Sequence, residues 1–132
     1  MPMPMMRRDW PDKYMLIDHT PVACGDAMSW AQYMEDRYKQ EQATGVDPWR
    51  VGSDMIDERC HVSTVFMGLD HRFFGDGEPV LFETMIFGGP LDQEQYRYCT
   101  WAEAERGHAG HVERARTAIA QVGEIWDNAH RK

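Results

Sequence analysis

The chain has 132 residues, of which 42% are hydrophobic, and this is enough apolar sequence for one domain with a buried core. Its formal net charge of −8 argues against nonspecific binding to nucleic acid or to an anionic membrane, because both need clustered lysine and arginine. The acidic residues are scattered rather than grouped in dense runs, so mimicry of DNA is also disfavoured.

The cysteines and the apolar runs indicate a cellular compartment. Cys24, Cys60 and Cys99 stand without CxxC spacing, which disfavours a disulfide framework and a structural zinc site and favours reduced thiols. The first residues contain no apolar segment of the kind found in signal peptides. No apolar run reaches the ~18 residues needed to cross a bilayer. We therefore expect a cytoplasmic protein without a membrane partner.

The N-terminal part of the chain predicts a flexible tail, a hairpin and a helix. Residues 1–12 contain three prolines among methionines and arginines, which favours an extended or disordered tail. Residues 14–24 are typical of two short strands around a turn that contains Asp18 and His19. The carboxylate of Asp26 is placed to cap a helix, because apolar residues follow it at helical spacing.

The segment after this helix loses its periodicity. Residues 40–57 contain two glycines and a proline, so they are predicted to form a long loop. Within this loop, Trp49 lies beside Arg50. The pair is either an exposed recognition site, or Trp49 closes the edge of the core. We prefer the second interpretation.

The centre of the sequence predicts an antiparallel hairpin. Residues 62–70 and 80–87 each alternate along two largely apolar faces, as expected of central strands that are covered on both sides. The turn at residues 75–77, with the sequence Gly-Asp-Gly, lets these strands pair antiparallel. Residues 96–99 are predicted to add a third strand.

A long C-terminal helix is predicted to cover this hairpin. Thr100 and Glu103 form a capping-box pattern at its start. An apolar stripe follows at helical spacing: Trp101, Ala104, His108, Val112, Ala115, Ile119, Val122 and Trp126. Gly123 is expected to break the helix. The fold class is therefore α+β, with one domain over residues 13–126 and a frayed tail over residues 127–132.

Four polar residues, Asp70, His71, Glu83 and His108, stand where apolar residues are expected. Glu83 shares a strand face with apolar neighbours, so its carboxylate needs a partner, a proton or an edge open to water. With a turn midway between them, Asp70 and Glu83 are nearly opposite each other, although a shift of one residue exchanges their faces. His108 lies between two glycines on the helix that covers the hairpin. We therefore expect the four side chains to converge.

Three kinds of chemistry fit such a set. A carboxylate beside an imidazole suits general acid–base catalysis or a small-ligand site. Two histidines and a carboxylate suit a divalent metal, for which His71, Glu83, His108 and His111 are weak candidate ligands. A bond from His108 to Glu83 or Asp70 is also a purely structural way to dock the helix, and we favour this interpretation. No cofactor is expected, with a divalent metal as the alternative.

Three motif strings carry a resemblance to a known family. They are STVFMGLDH at residues 63–71, LFETMIFGG at residues 81–89 and RYCTWAEAERGH at residues 97–108. Over roughly residues 60–110 the chain is similar to a family of small uncharacterised proteins of tailed bacteriophages and prophages. Met67 and Cys99 stand where leucine and serine are expected in such relatives. The resemblance implies an accessory gene product in the bacterial cytoplasm, and it transfers no reaction, cofactor or partner.

The expected function is therefore binding rather than catalysis. We expect a non-enzymatic accessory protein that binds a host or phage protein, with a homodimer as a further expectation. Trp10 and Trp49 are the expected anchors, because aromatic side chains dominate the energetics of interfaces. The alternative is a small-ligand or metal-dependent enzyme that uses the set of Asp70, His71, Glu83 and His108.

Overall fold

The computed structural model of the protein describes residues 12–72 and 77–131. Its helices and strands are β1 (Tyr14–Ile17), β2 (Thr20–Ala23), α1 (Ala27–Thr44), β3 (Arg50–Asp57), β4 (Cys60–Phe66), β5 (Phe82–Phe87), β6 (Gln95–Tyr98) and α2 (Trp101–Ala129). The predicted α+β class is confirmed. The tail predicted for residues 1–12 and the turn predicted at residues 75–77 lie outside the described residues, except for Asp12 and Gly77.

The N-terminal hairpin pairs β1 with β2 around a two-residue turn, as the sequence predicted. The turn residues Asp18 and His19 have positive φ angles of 48° and 69°, which is the backbone geometry that tight hairpin turns require. The ring of His19 stacks on Trp101 with 3.7 Å between the centroids. The turn is thereby fastened to the first turn of α2.

Helix α1 begins and ends at residues suited to capping. The carboxylate of Asp26 accepts the amide of Ser29 at 2.7 Å, which confirms the predicted cap. At the other end Gly45 has a φ of 73°, and its amide donates to the carbonyl of Glu41 at 2.8 Å. The helix therefore reaches Thr44, inside the segment that was predicted to be a loop.

The larger sheet has the strand order β3-β4-β5-β6 and is antiparallel throughout. Strand β3 occupies residues 50–57 of the predicted loop and α1 occupies residues 40–44, so the prediction of a loop over residues 40–57 is wrong. Two register shifts, between Arg50 and Gly52 and between Met55 and Asp57, interrupt the alternation of this strand. A bulged strand does not show the regular period of two on which the sequence analysis depended.

Helix α2 packs along one face of this sheet, which we name the inner face. The buried residues of β4 and β5 on the inner face are Cys60, Val62, Thr64, Phe66, Phe82, Thr84 and Ile86. The alternate residues of both strands point to the opposite, outer face and are partly buried or exposed. The two central strands are therefore buried on one face, and the prediction that both faces are covered is wrong.

The register of the central hairpin differs from the expected one. Strand β4 pairs with β5 from His61 opposite Phe87 to Phe66 opposite Phe82. Consequently Glu83 lies opposite Val65, and the predicted position of Asp70 opposite Glu83 is wrong. The ladder ends at Phe66 and Phe82, and beyond it the amides of Met67 and His71 donate to the carbonyls of Leu81 and Val80 at 2.7 and 2.9 Å. Asp70 therefore lies between β4 and β5, outside the ladder.

Trp49 closes the core beside the end of β4. Its side chain is 7% exposed and meets Phe66 edge-on, with 4.9 Å between the ring centroids. The indole nitrogen donates to the hydroxyl of Tyr33 at 2.8 Å, and the guanidinium of Arg37 lies 4.1 Å above the ring. The preferred interpretation of Trp49 as part of the core edge is confirmed, and the exposed recognition site is wrong.

Helix α2 starts at the predicted capping box. The hydroxyl of Thr100 accepts the amide of Glu103 at 3.1 Å and donates to its carboxylate at 3.0 Å. The helix passes through Gly123 without interruption and ends at Ala129, so the expected break is wrong.

Of the helices in the described part of the chain, neither is long and apolar enough to cross a membrane.

Candidate functional site

His108 lies at the middle of a chain of hydrogen bonds between α2 and the sheet. Its Nε2 is 2.6 Å from Oδ2 of Asp54, and its Nδ1 is 2.7 Å from the hydroxyl of Thr64. That hydroxyl lies 2.6 Å from the hydroxyl of Thr84, which also accepts the hydroxyl of Tyr98 at 3.1 Å. We refer to these five residues as the His108 network.

Two glycines make room for the network between helix and sheet. Gly52 lies opposite Thr64 on the neighbouring strand, directly beneath the imidazole of His108. A Cβ atom on Gly52 would come within 2.6 Å of the imidazole, which is closer than real contacts allow. Gly107 plays the same part for Tyr98, whose ring would collide with a Cβ atom there. Of the two glycines that flank His108 in the sequence, Gly107 is therefore the one at which another side chain, Tyr98, approaches the helix backbone closely.

The network reaches solvent at one end. Thr64 and Thr84 are 0% exposed, whereas the side chain of Asp54 is 47% exposed. A carboxylate, an imidazole and a hydroxyl in this order also occur in catalytic triads. In a triad, however, the hydroxyl faces the substrate, and the Thr64 hydroxyl is enclosed by the described part of the chain. The arrangement links Asp54, His108 and Thr64 by hydrogen bonds, and it fixes the position of α2 on the sheet.

Asp70 and His71 lie away from this network, in the connection between β4 and β5. The Asp70 carboxylate is 2.9 Å from a guanidinium nitrogen of Arg72 and accepts the amides of Arg72 and Val80 at 2.8 and 3.0 Å. The Nδ1 of His71 donates to the carbonyl of Leu69 at 2.8 Å. These bonds join described residues on both sides of the connection, and they give Asp70 a structural role.

Glu83 lies on the outer face rather than on a buried one. Its carboxylate is 3.0 Å from Nε of Arg97, which stands directly opposite it on β6. Of the three ways in which this carboxylate could be accommodated, the structure uses a charged partner. Glu83 therefore does not converge with His108 as expected, because the side of β5 that faces α2 is the one that carries Phe82, Thr84 and Ile86.

His111 belongs to a separate polar cluster between α2 and β6. Its ring stacks on Tyr96 with 3.8 Å between the centroids, and its Nδ1 lies 2.9 Å from Arg114. Arg114 also donates to the Tyr96 hydroxyl at 3.0 Å and to the Glu94 carboxylate at 3.1 Å. Burial, and then the charge of Arg114, lowers the pKa of His111. The hydrogen bonds from Tyr96 and Arg114 lower the pKa of Glu94.

The structure does not bring the expected set together. Asp70 and His71 lie in the connection, Glu83 on the outer face and His108 beneath α2, each with its own partners. Within residues 12–72 and 77–131, no three histidine, cysteine, aspartate or glutamate side chains form a group that could hold a metal ion. The expected convergence is therefore not observed.

The sequence analysis missed the actual partners of His108. Asp54 fell in the predicted loop, and the tertiary contact depends on bulged strand β3. A usable signal was present in Thr64 and Thr84, which interrupt the apolar inner faces of two consecutive strands. Polar side chains in such positions need buried hydrogen-bond partners, and the histidine on the covering helix supplies one.

The outer face carries a row of large side chains. Met55, His61 and Phe87 lie side by side on β3, β4 and β5. Met55 is 62% exposed and Phe87 is 48% exposed. The rings of His61 and Phe87 stack with 6.1 Å between their centroids, and Met85 lies two residues before Phe87 on the same face. We refer to these four residues as the outer-face patch.

Comparison with models of protein families, with curated proteins and with solved structures finds no match to this chain. The resemblance to proteins of bacteriophages and prophages therefore stays a prediction from the three motif strings. The function has to be argued from the geometry of the described residues.

Proposed function

We propose that this is an accessory protein without enzymatic activity, which acts by binding another protein of the phage or its bacterial host. The observation that carries the proposal is the outer-face patch, where Met55 of β3 and Phe87 of β5 are 62% and 48% exposed on either side of His61 of β4. Contiguous exposed apolar surface of this kind is typical of interaction sites. Methionine and aromatic residues are also enriched in interfaces, and methionine adapts to irregular partner surfaces.

The surroundings of the patch fit a protein partner. Ser53 and Ser63 lie in the next row of the sheet, and the pair of Glu83 and Arg97 follows in the row beyond. An apolar centre with a polar margin is the usual anatomy of a protein interface. The net charge of −8 disfavours nucleic acid and anionic membranes as partners. The proposed location is the bacterial cytoplasm.

The patch replaces the anchors that the sequence suggested. Trp49 is 7% exposed and is part of the core, and Trp10 lies outside the described residues. The proposal also includes a homodimer, which would present two outer-face patches to one partner. Two linked patches bind a dimeric or repetitive partner more tightly than either patch alone.

The test is capture of a partner from a lysate of the bacterium that carries the gene, with variants of the patch as baits. Phe87→Asp and Met55→Asp place a charge in the centre of the patch and are expected to reduce recovery of a stoichiometric partner at least about tenfold. Met28→Asp is the matched control, because Met28 is 82% exposed on α1, away from the patch. Equal recovery with all three variants would contradict the proposal.

A second candidate is the small-ligand or metal-dependent enzyme. One observation favours it, namely the 2.6 Å contact between His108 and the half-exposed carboxylate of Asp54. A divalent ion or small ligand bound there would stabilise the folded state by mass action. Thermal unfolding in the presence of Zn²⁺ or Mn²⁺ tests this candidate. A rise in Tm that disappears in His108→Ala supports an active site, and an unchanged Tm in the wild type argues against it.

A further inference from the structure

The last turns of α2 project beyond the sheet. Ile119 is the last residue of the helix that packs against the core around Cys60 and Ile86, and its tip lies close to Gly89. The helix then continues to Ala129, which adds about 15 Å at the usual rise per residue. We refer to residues 120–129 as the overhang.

The overhang carries an apolar stripe that nothing in the described chain covers. Val122, Ile125 and Trp126 are 52%, 68% and 59% exposed. Val122 and Trp126 follow Ala115 and Ile119 at helical spacing, so the stripe continues the face that packs on the sheet. The ring of Trp126 stacks on His130 with 3.9 Å between the centroids, which holds the indole in place. Short helical segments without packing partners are marginal in water. The overhang is such a segment, so its apolar stripe needs another surface to cover it.

The sheet end beneath the overhang and the tip of the overhang differ in charge. The turn between β3 and β4 and the connection between β5 and β6 both lie at the end where α2 leaves the sheet. Apart from Arg59, their charged residues near this end are acidic, namely Asp57, Glu58 and Asp92. The overhang itself carries Glu124 and Asp127, and beyond its end the chain continues with His130 and Arg131, which we call its tip.

We infer that a second copy of this chain covers the overhang, paired antiparallel about a two-fold axis near Ile125. The inference rests on the homodimer in the proposed function and gives it a site. A two-fold axis lays the stripe of one overhang on the same stripe of the other copy. It also brings the Arg131 end of each helix to the acidic turns of the other copy. In a parallel pair the like-charged tips would lie together, and Glu58 would not lie near Arg131 of the other copy.

The length of the overhang agrees with this antiparallel arrangement. With Ile125 near the axis, the tip of one helix lies level with Ile119 of the other. Ile119 is the last residue of α2 that packs on the sheet. The second copy therefore fills the space below the overhang without entering the core. The contact is isologous and closes after two copies, which excludes open filaments.

Light scattering after size exclusion tests the dimer in the full chain. The wild type is expected at twice the chain mass of 15.4 kDa, and Ile125→Asp is expected at 15.4 kDa. Ala120→Asp is the matched control, because it adds the same charge on the opposite, exposed side of the overhang. Circular dichroism checks that each variant is folded. A monomeric wild type, or a dimeric Ile125→Asp, would overturn the inference.

A charge exchange tests the antiparallel arrangement. Arg131→Glu and Glu58→Arg are each expected to raise the Kd of the dimer about three- to fivefold, as for other exposed ion pairs. The double variant restores the attraction with reversed signs, so its Kd is expected to return toward the wild-type value. Additive weakening in the double variant would show that the two residues do not meet and would overturn this arrangement.

The dimer and the proposed function fail in different ways. Phe87→Asp changes the outer-face patch and is expected to stay dimeric while it loses the captured partner. Ile125→Asp leaves each patch intact and is expected to be monomeric. A monomeric wild type that still captures a partner through Phe87 would therefore overturn the dimer and retain the binding of another protein through the outer-face patch.

Discussion

At the scale of single residues, His108 sets how closely α2 approaches the sheet. Its imidazole bonds to Thr64 on one side and to Asp54 on the other, and it rests on the bare backbone of Gly52. Replacing His108 by alanine leaves the buried Thr64 hydroxyl with one partner fewer and opens a cavity. Both effects destabilise the folded state, and the cost is expected to be about 2–3 kcal/mol.

The first prediction concerns the contact between Gly52 and His108. In the wild type, Gly52→Ala is expected to lower the free energy of unfolding by about 1–3 kcal/mol, because the new methyl group collides with the imidazole. In the His108→Ala background, most of this cost is expected to vanish, since the truncated side chain leaves room for the methyl group. Urea unfolding of the wild type, both single variants and the double variant measures the coupling.

The outcome that contradicts this account is an equal cost of Gly52→Ala in both backgrounds. The loss would then come from the backbone of β3 rather than from the imidazole. Asp54→Ala is a useful comparison within the same network. Its side chain is 47% exposed, so its removal is expected to cost no more than about 1 kcal/mol.

The second prediction concerns pH and His111. Burial, and then the charge of Arg114, lowers the pKa of His111 in the folded state, so the unfolded chain binds a proton more readily. The free energy of unfolding is therefore expected to fall as the pH drops below about 6.5, the pKa of an unperturbed histidine. His111→Phe keeps an aromatic ring against Tyr96 and removes the titrating group. Urea unfolding between neutral and acidic pH is expected to show a smaller fall for the variant, and an equal or larger fall would count against this cause.

Single residues with local partners were predictable from the sequence, and those with distant partners were not. Asp26 and Thr100 cap helices through residues three positions away, so the pattern alone identified them. The partner of His108 is Asp54, which is brought to it by a strand with two register shifts. For Glu83 the sequence left a partner, a proton or an edge open to water as alternatives, and the partner found, Arg97, depends on the pairing of β5 with β6.

At the scale of whole elements, α2 depends on its first turn. The Thr100 hydroxyl accepts the Glu103 amide, which would otherwise lack a partner at the helix start. The third prediction is that Thr100→Ala lowers the free energy of unfolding by about 1 kcal/mol. Thr117→Ala is the control, because Thr117 is exposed within the same helix and alanine is the better helix former there. Urea unfolding compares the two variants, and an equal effect of both would rule out the cap as the cause.

The order of the elements was largely predictable, whereas the pairing register of the strands was not. The N-terminal hairpin and both helix starts follow from local turn and cap chemistry. The central hairpin was predicted with a turn at residues 75–77 directly joining two long strands. Instead, β4 ends at Phe66 and β5 begins at Phe82, and Asp70 ties together the described residues that lie between these two strands. Alternation identifies a strand, but it does not show where pairing stops.

At the scale of the whole molecule, α2 serves two purposes. Its first part covers the inner face of the sheet through Ala104, His108, Val112 and Ala115. Its last part continues the same stripe into solvent. The sequence pattern joined both parts into one stripe, because helical spacing does not indicate where the sheet ends. The break expected at Gly123 does not occur, and an uninterrupted helix is what carries the stripe beyond the core.

The fourth prediction uses hydrogen exchange to separate the two parts of α2. Amides in the part that packs on the sheet exchange only when the core opens, so they are expected to stay strongly protected even in Ile125→Asp, which is expected to be monomeric. Amides of residues 122–129 belong to helical turns with no tertiary contact in a single copy. In Ile125→Asp these amides are expected to exchange within about tenfold of the rate in an unstructured peptide.

In the wild type, protection of residues 122–129 is expected to rise with protein concentration, because dimerisation covers Val122, Ile125 and Trp126 and stabilises these turns by mass action. Mass spectrometry of peptides from both parts, over a wide range of concentrations, gives the comparison within one molecule. Ala120→Asp is expected to follow the wild type, since its charge lies on the uncovered side. Protection that is high and independent of concentration in every variant would mean that the overhang is stable without a second copy.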